Sequence, residues 1–127
     1  MIEIARIAES ISRYGDRFLH RIFTESEITY CMQKKTFAES FAARFAAKEA
    51  GAKALGTGIS RGVSWQEIEV LRKPGQRPML HFHGRAAQIA KVLGCEQTHL
   101  SITHTREFAM AFVLLDRINM STSSPAH

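Results

Sequence analysis

Arg44, Lys48, Glu49 and Lys53 fall inside one alanine-rich stretch, RFAAKEAGAKALG, running from Arg44 to Gly56. On a helix turning about 100° per residue, Phe37, Phe41 and Phe45 form one stripe and the alanines cover most of the remaining circumference. Arg44 and Lys48 lie on one edge of that stripe, Glu49 and Lys53 on the other. Charges beside an apolar surface must be paired, snorkel to water or serve a ligand, because desolvating one unpaired costs roughly several kcal/mol. Two chemistries satisfy this spacing. Glu49 and Lys53 can form an i,i+4 ion pair while Arg44 and Lys48 bury only their stems. Alternatively, a carboxylate flanked by three cations suits a magnesium–phosphate complex, since magnesium takes few carboxylates together with waters and phosphate oxygens. Spacing alone leaves both open.

The elements that must hold these residues can be read along the chain. Ile4, Ile7 and Ile11 recur at helical intervals, and Phe18, Ile22 and Phe23 resume after Gly15. Thr24-Glu25-Ser26-Glu27 has the form of a capping box that starts a short helix ending near Cys31. A second box, Thr36-Phe37-Ala38-Glu39, opens the longest helix, which stops at Leu55-Gly56. The period then shortens: Ile68 and Val70, then Met79 and Phe82 beyond a Pro-Gly-Gln-Arg turn, predict a hairpin. Gly84 to Leu93 predicts a helix, and His99 to His104 with Glu107 to Asp116 a closing hairpin around Thr105-Arg106. Helices first and strands later predict an α+β domain, with a long central helix on a small antiparallel sheet.

The 127 residues suffice for one core. A domain over 1–117 and a flexible tail over 118–127, rich in small polar residues, are expected. Seventeen Lys and Arg against twelve Asp and Glu leave +5, favouring anionic partners. A basic nucleic-acid-binding module would need exposed stacking aromatics, whereas Phe37, Phe41 and Phe45 keep a helical core period and Phe108 and Phe112 alternate on a strand. Cys31 and Cys95 have neither disulfide-framework nor zinc spacing. With no signal-peptide core or membrane-length apolar run, a cytoplasmic protein without nucleic-acid partners or membrane insertion is expected.

The segment from Arg44 to Ala50, followed by Lys53-Ala54-Leu55-Gly56-Thr57-Gly58, resembles the signature of holo-acyl-carrier-protein synthases. RFLHRIFTESE (Arg17 to Glu27), SWQEIEV (Ser64 to Val70), the turn at Arg77-Pro78 and SITHTREFA (Ser101 to Ala109) resemble family segments in the family's order. The likeness reaches about Asp116 and implies the 4′-phosphopantetheinyl transferase fold. It also implies transfer of 4′-phosphopantetheine from coenzyme A to a serine of apo-acyl carrier protein, with release of adenosine 3′,5′-bisphosphate. The rival from another class is a non-catalytic binder of the carrier protein.

The resemblance also assigns roles. Mg2+ would be held by Glu49, and Glu49, Lys48 and Lys53 are the catalytic candidates; the general base is left open among Glu49, a metal-bound water and Lys48. Arg44, Lys53, Gly56, Pro78, His104 and Thr105 are the candidates for coenzyme A. Arg6, Arg13, Arg17 and Arg21, with Phe18 and Ile22, would receive the acidic carrier protein. His20, His81, His83 and His99 have no comparable context and are expected to be surface or packing residues. The family commonly forms homotrimers with sites between subunits, and its setting is fatty-acid biosynthesis.

One departure stands out. Family members open with a Gly-Ile-Gly-x-Asp strand whose aspartate is a second magnesium ligand, and the matching position falls just before Met1. A start displaced from an upstream one is expected, because the other motifs are intact. Glu3 is a poor substitute, three positions on and pointing to the opposite face of an extended strand. The chain as written is expected to bind magnesium weakly and transfer slowly.

Overall fold

The isoleucine spacing at the N-terminus does build a helix, preceded by a strand too short to be legible. In the computed structural model, which describes residues 1–59 and 61–117, β1 (Ile2–Glu3) runs into α1 (Ile4–Tyr14), and Gly15 separates α1 from α2 (Asp16–Ile22). Gly15 has φ 55°, in the left-handed region open to glycine, and its N–H closes α1 on the Ile11 carbonyl. Thr24 caps α3 (Glu25–Met32) through the expected box, with both reciprocal bonds formed.

The long helix is α4 (Phe37–Ala54). Thr36 is its N-cap residue, but the second capping box does not form. Thr36 has ψ 59°, outside the extended conformation that turns a cap hydroxyl back on the helix, and its side chain makes no capping bond. At the other end Gly56, with φ 83°, donates to the Lys53 carbonyl. This is the predicted glycine stop.

A 3-10 turn (Trp65–Glu67) leads to β2 (Ile68–Leu71), which pairs antiparallel with β3 (Met79–Phe82). Leu80 rather than Met79 faces inward, since Met79 is exposed and Leu80 buried. After α5 (Gly84–Val92) come β4 (Cys95–His104) and β5 (Phe108–Arg117), so β4 begins four residues before the predicted start. The second sheet has the order β1-β5-β4, with Ile2 opposite Ala109.

Helix α4 joins the two cores. Phe41, Ala42 and Ala43 pack with Ile4, Ile7, Leu19, Ile22, Phe23 and Cys31, while Ala47, Ala52 and Leu55 pack with Ile68, Val70, Leu80, Ala86 and Ala90. Its small residues are what allow both approaches. At Gly51 a Cβ would stand 3.0 Å from Ile68 Cγ2 and 3.1 Å from Leu80 Cδ1, so a side chain there would require those side chains of β2 and β3 to give by a few tenths of an ångström. Among the described residues no helix is long and apolar enough to cross a membrane. The expected tail, 118–127, lies outside the described residues.

Candidate functional site

The four charges from Arg44 to Lys53 on α4 differ in their surroundings. Lys48 is completely buried, with Nζ 2.7 Å from Glu27 Oε1 and donating to the carbonyls of Trp65 (3.0 Å) and Ile68 (2.8 Å). Burial pulls its ammonium below the ordinary amine pKa, and Glu27 is the main force opposing that shift. All three donors of the ammonium are occupied. This corrects the expectation of Lys48 as a catalytic group, because its Nζ points into the protein and has no proton position left for a substrate.

Arg44, one turn earlier, is buried to 6 % exposure. Its guanidinium lies 4.3 Å from the centroid of the Tyr30 ring, and Nη1 donates to the Ser40 carbonyl at 3.4 Å. Its Nε is buried without a hydrogen-bond partner. Such an orphaned cationic donor costs about 1–3 kcal/mol or more unless a ligand satisfies it. Arg44 lines a concavity of about 130 Å³ with Tyr30, Ser26, Val70, Leu71, Arg72 and Lys73. Burial works against ionisation of the Tyr30 phenol, but the Lys34 hydrogen bond and the charges of Arg72, Lys34 and Arg44 outweigh it and lower its pKa. The field in this concavity is strongly positive. Pro78 precedes Met79, which pairs with Leu71, so it lies at the hairpin end occupied by Arg72.

Glu49 is half-buried and Lys53 exposed. No ion pair joins them among the described residues, so the i,i+4 pairing is not what holds this edge of α4. Glu49 is the carboxylate that α4 itself presents on this edge. Among the described residues no group of three or more His, Cys, Asp or Glu converges as a metal site. One free carboxylate fits a magnesium ion completed by waters and substrate phosphate, and does not fit an all-protein cage.

His104 and Thr105 occupy the other end of the helix. His104 Nδ1 is 3.9 Å from Glu39 Oε1, in the first turn of α4. Thr105 shapes the β4–β5 turn, its hydroxyl accepting from the N–H groups of Glu107 (3.2 Å) and Phe108 (3.1 Å). Ten residues of helix, about 15 Å, separate Glu39 from Glu49. Within one chain, therefore, Glu49, Lys53 and Gly56 stand at one end of α4, His104 and Thr105 at the other, and Arg44 between.

Of the proposed docking residues, Arg6, Arg13, Arg17 and Arg21 are exposed and Phe18 is half-buried. Arg17, Phe18 and Arg21 line an open hollow of about 470 Å³ with Ser10 and Tyr14. Ile22 is a correction: it is 6 % exposed and belongs to the core with Leu19 and Phe23, so it cannot anchor a partner. Sequence reasoning missed Glu27 as a buried counter-ion, and it missed Tyr30, Arg72 and Lys73 around Arg44. The basic Arg72-Lys73 pair just past β2 was the signal that could have found the last two.

The profile of the 4′-phosphopantetheinyl transferase superfamily matches residues 1–113. A holo-acyl-carrier-protein synthase of Koribacter versatilis is 55% identical over 116 residues, covering 91% of this chain and 93% of that protein. The crystal structure of the Helicobacter pylori holo-acyl-carrier-protein synthase in complex with coenzyme A superposes with a TM-score of 0.79 at 31% identity, covering 91% of this chain and 95% of that one. A Bacillus anthracis synthase in complex with CoA (3′,5′-ADP) gives a TM-score of 0.74 at 38% identity, covering 92% and 91%. With the profile spanning nearly the whole fold and relatives above half identity, the chain belongs to the 4′-phosphopantetheinyl transferase superfamily, among the holo-acyl-carrier-protein synthases.

Proposed function

We propose that this chain transfers 4′-phosphopantetheine from coenzyme A to a serine of apo-acyl carrier protein, releasing adenosine 3′,5′-bisphosphate. The observation that carries this reading is Arg44: a buried guanidinium with an unsatisfied Nε, in a small cationic concavity with Arg72 and Lys73. That environment suits a phosphate ester. Arg44 binds the nucleotide end of coenzyme A, with Pro78, at the hairpin end near Arg72, as a further contact. His104 and Thr105 bind its 3′-phosphate, and Lys53 with Gly56 holds the pyrophosphate near Glu49.

In the reaction the carrier serine hydroxyl attacks the β-phosphorus, the bond from that phosphorus to the bridging pyrophosphate oxygen breaks, and adenosine 3′,5′-bisphosphate leaves. Lys53, exposed on the last turn of α4, can swing its ammonium toward the charge that develops on the phosphate oxygens. Among the described residues Glu49 makes no ion pair, and it is the protein group left to accept the serine proton. Mg2+ held by Glu49 would neutralise pyrophosphate charge when bound.

The separation of Glu49 from His104 along α4 supports a site shared between subunits of a homotrimer. Exposed Phe112 (66 %) and Leu114 (69 %), alternating on β5, supply apolar surface for such packing. Arg13, Arg17 and Arg21 with Phe18 form the docking face for the acidic carrier protein, in a cytoplasmic enzyme of fatty-acid biosynthesis.

The test is mass spectrometry of apo-acyl carrier protein incubated with coenzyme A, Mg2+ and this chain. The expected result is a mass gain of one phosphopantetheine. Absence of that gain, with the carrier bound unmodified, would instead support a non-catalytic binder. Arg44→Met should weaken adenosine 3′,5′-bisphosphate binding by roughly 10- to 100-fold, the worth of a charged hydrogen bond.

A further inference from the structure

Helices α3 and α4 meet through two matched contacts. Glu27 and Tyr30, three residues apart on α3, face Lys48 and Arg44, four apart on α4: Glu27 Oε1 holds Lys48 Nζ at 2.7 Å, and the Tyr30 ring carries the Arg44 guanidinium at 4.3 Å. Glu27 is itself fixed from three other directions. Its carboxylate accepts from the Thr24 N–H at 2.8 Å and the Val70 N–H at 2.7 Å, and its own N–H bonds the Thr24 hydroxyl at 3.2 Å. Lys48 in turn reaches the carbonyls of Trp65, the first residue of the 3-10 turn, and Ile68, the residue just after it. The result is a dry clamp with both side chains at 0 % exposure, joining the α3 cap, the start of β2 and the turn of α4 that carries Glu49.

A hydrophobic pair of the same volume would serve stability as well or better. What a buried charge pair with this many directional bonds adds is a single geometry. Much of the buried surface of α4 is alanine, which fixes rotation and axial position only weakly: Ala42, Ala43, Ala46, Ala47 and Ala52 are all buried and nearly equivalent in shape, so the clamp adds to what Phe41 and Gly51 supply.

We propose that Glu27 and Lys48 are positioning residues for phosphopantetheine transfer, setting the register of α4 so that Glu49 and Lys53 meet the pyrophosphate correctly. Neither touches substrate. This rests on the transferase reading given above, and deepens it. Because Arg44 is held separately by Tyr30, the clamp governs the reacting end of the site more than the nucleotide end.

The experiment compares the parent chain with Lys48→Met, Glu27→Gln and the double variant. It measures kcat, the KM for coenzyme A, thermal midpoint and the emission of Trp65, the chain's single tryptophan, which stacks on Phe45 of α4 at 4.6 Å. Each single variant should lose about 100-fold in kcat, as expected of a misplacement near 1 Å, with KM within about threefold of the parent on the same grounds. The double variant should regain thermal midpoint over the singles, having no lone buried charge, yet keep the low kcat and a displaced Trp65 emission. Recovery of kcat together with stability in the double variant would overturn the proposal, as would an unmoved Trp65 emission. An inactive parent would count against the transferase reading instead, and the emission comparison still decides the clamp.

Discussion

His83 Nε2 lies 2.8 Å from Glu69 Oε1, while the other carboxylate oxygen of Glu69 accepts from the Thr24 hydroxyl at 2.6 Å. Glu69 thereby ties β2 both to the start of α5 and to the α3 cap. Burial alone would raise its pKa, but the Thr24 and His83 hydrogen bonds, with the charges of His83 and Lys48, hold the carboxyl below its ordinary 4.5. His81 stands opposite Glu69 in the β2–β3 register and adds a further titratable ring to that face. For a carboxyl depressed on folding, the unfolded chain binds the proton more readily. The stability it contributes is full above pH 4.5 and is lost as pH falls through the folded-state value. Thermal midpoints followed downward from pH 6 should therefore drop more steeply in the parent than in Glu69→Gln. Parallel curves would show that Glu69 does not carry this dependence.

Cys31 predicts a chemical difference between the two thiols. Its side chain is fully buried between α3 and the Phe41 layer, and desolvation pushes its pKa to about 11. Thiolate is the reacting form, so attack by a maleimide or aromatic disulfide near pH 8 requires both ionisation and opening of the core. Cys95 is only half-buried and less shifted, so it should label in the native protein, with Cys31 following only on unfolding in denaturant. Peptide mapping after timed labelling checks this; equal rates at the two cysteines would mean that α3 opens readily.

Most of the element order and the α4 boundaries were legible because their signals are local. Thr24-x-x-Glu27, the isoleucine spacing and the Leu55-Gly56 stop each act within a turn or two of helix. The Thr36 box failed because a cap depends on the incoming backbone angle, which residue types do not specify. Lys48 was misassigned for a different reason. Periodicity placed it beside an apolar stripe and demanded a partner, but that partner, Glu27, is on another helix and already had a complete local explanation as a capping residue. Ile22 failed similarly: on a helix of seven residues, an isoleucine next to arginines is compatible with either face, and packing against Phe23 and Leu19 decides it. Arg44 was legible as a charge beside an apolar stripe that had to be paired, snorkel or serve a ligand, whereas the concavity around it depends on Tyr30, Arg72 and Lys73 converging from α3 and the end of β2.

With Ile22 turned inward, the proposed docking face narrows to Arg17, Phe18 and Arg21 around the α1–α2 hollow, together with the exposed Arg6 and Arg13. Arg13 is only loosely engaged by Glu9 at 3.9 Å, both side chains being mostly exposed, so its charge is available to a partner. An acidic helix laid across this face would meet the guanidinium groups at its sides and Phe18 at its centre, an arrangement in which charge steers the encounter and the aromatic residue supplies contact area. Arg13→Glu with Arg17→Glu should raise the KM for the carrier protein by at least about tenfold, mainly through slower association, and steepen under low salt, where surface charges are least screened. Neither Arg13 nor Arg17 lines the concavity around Arg44 that is proposed for coenzyme A, so coenzyme A affinity measured by calorimetry should stay at the parent value. Equal loss of carrier and coenzyme A affinity would remove the docking assignment, and an unchanged carrier KM would place the partner on another face.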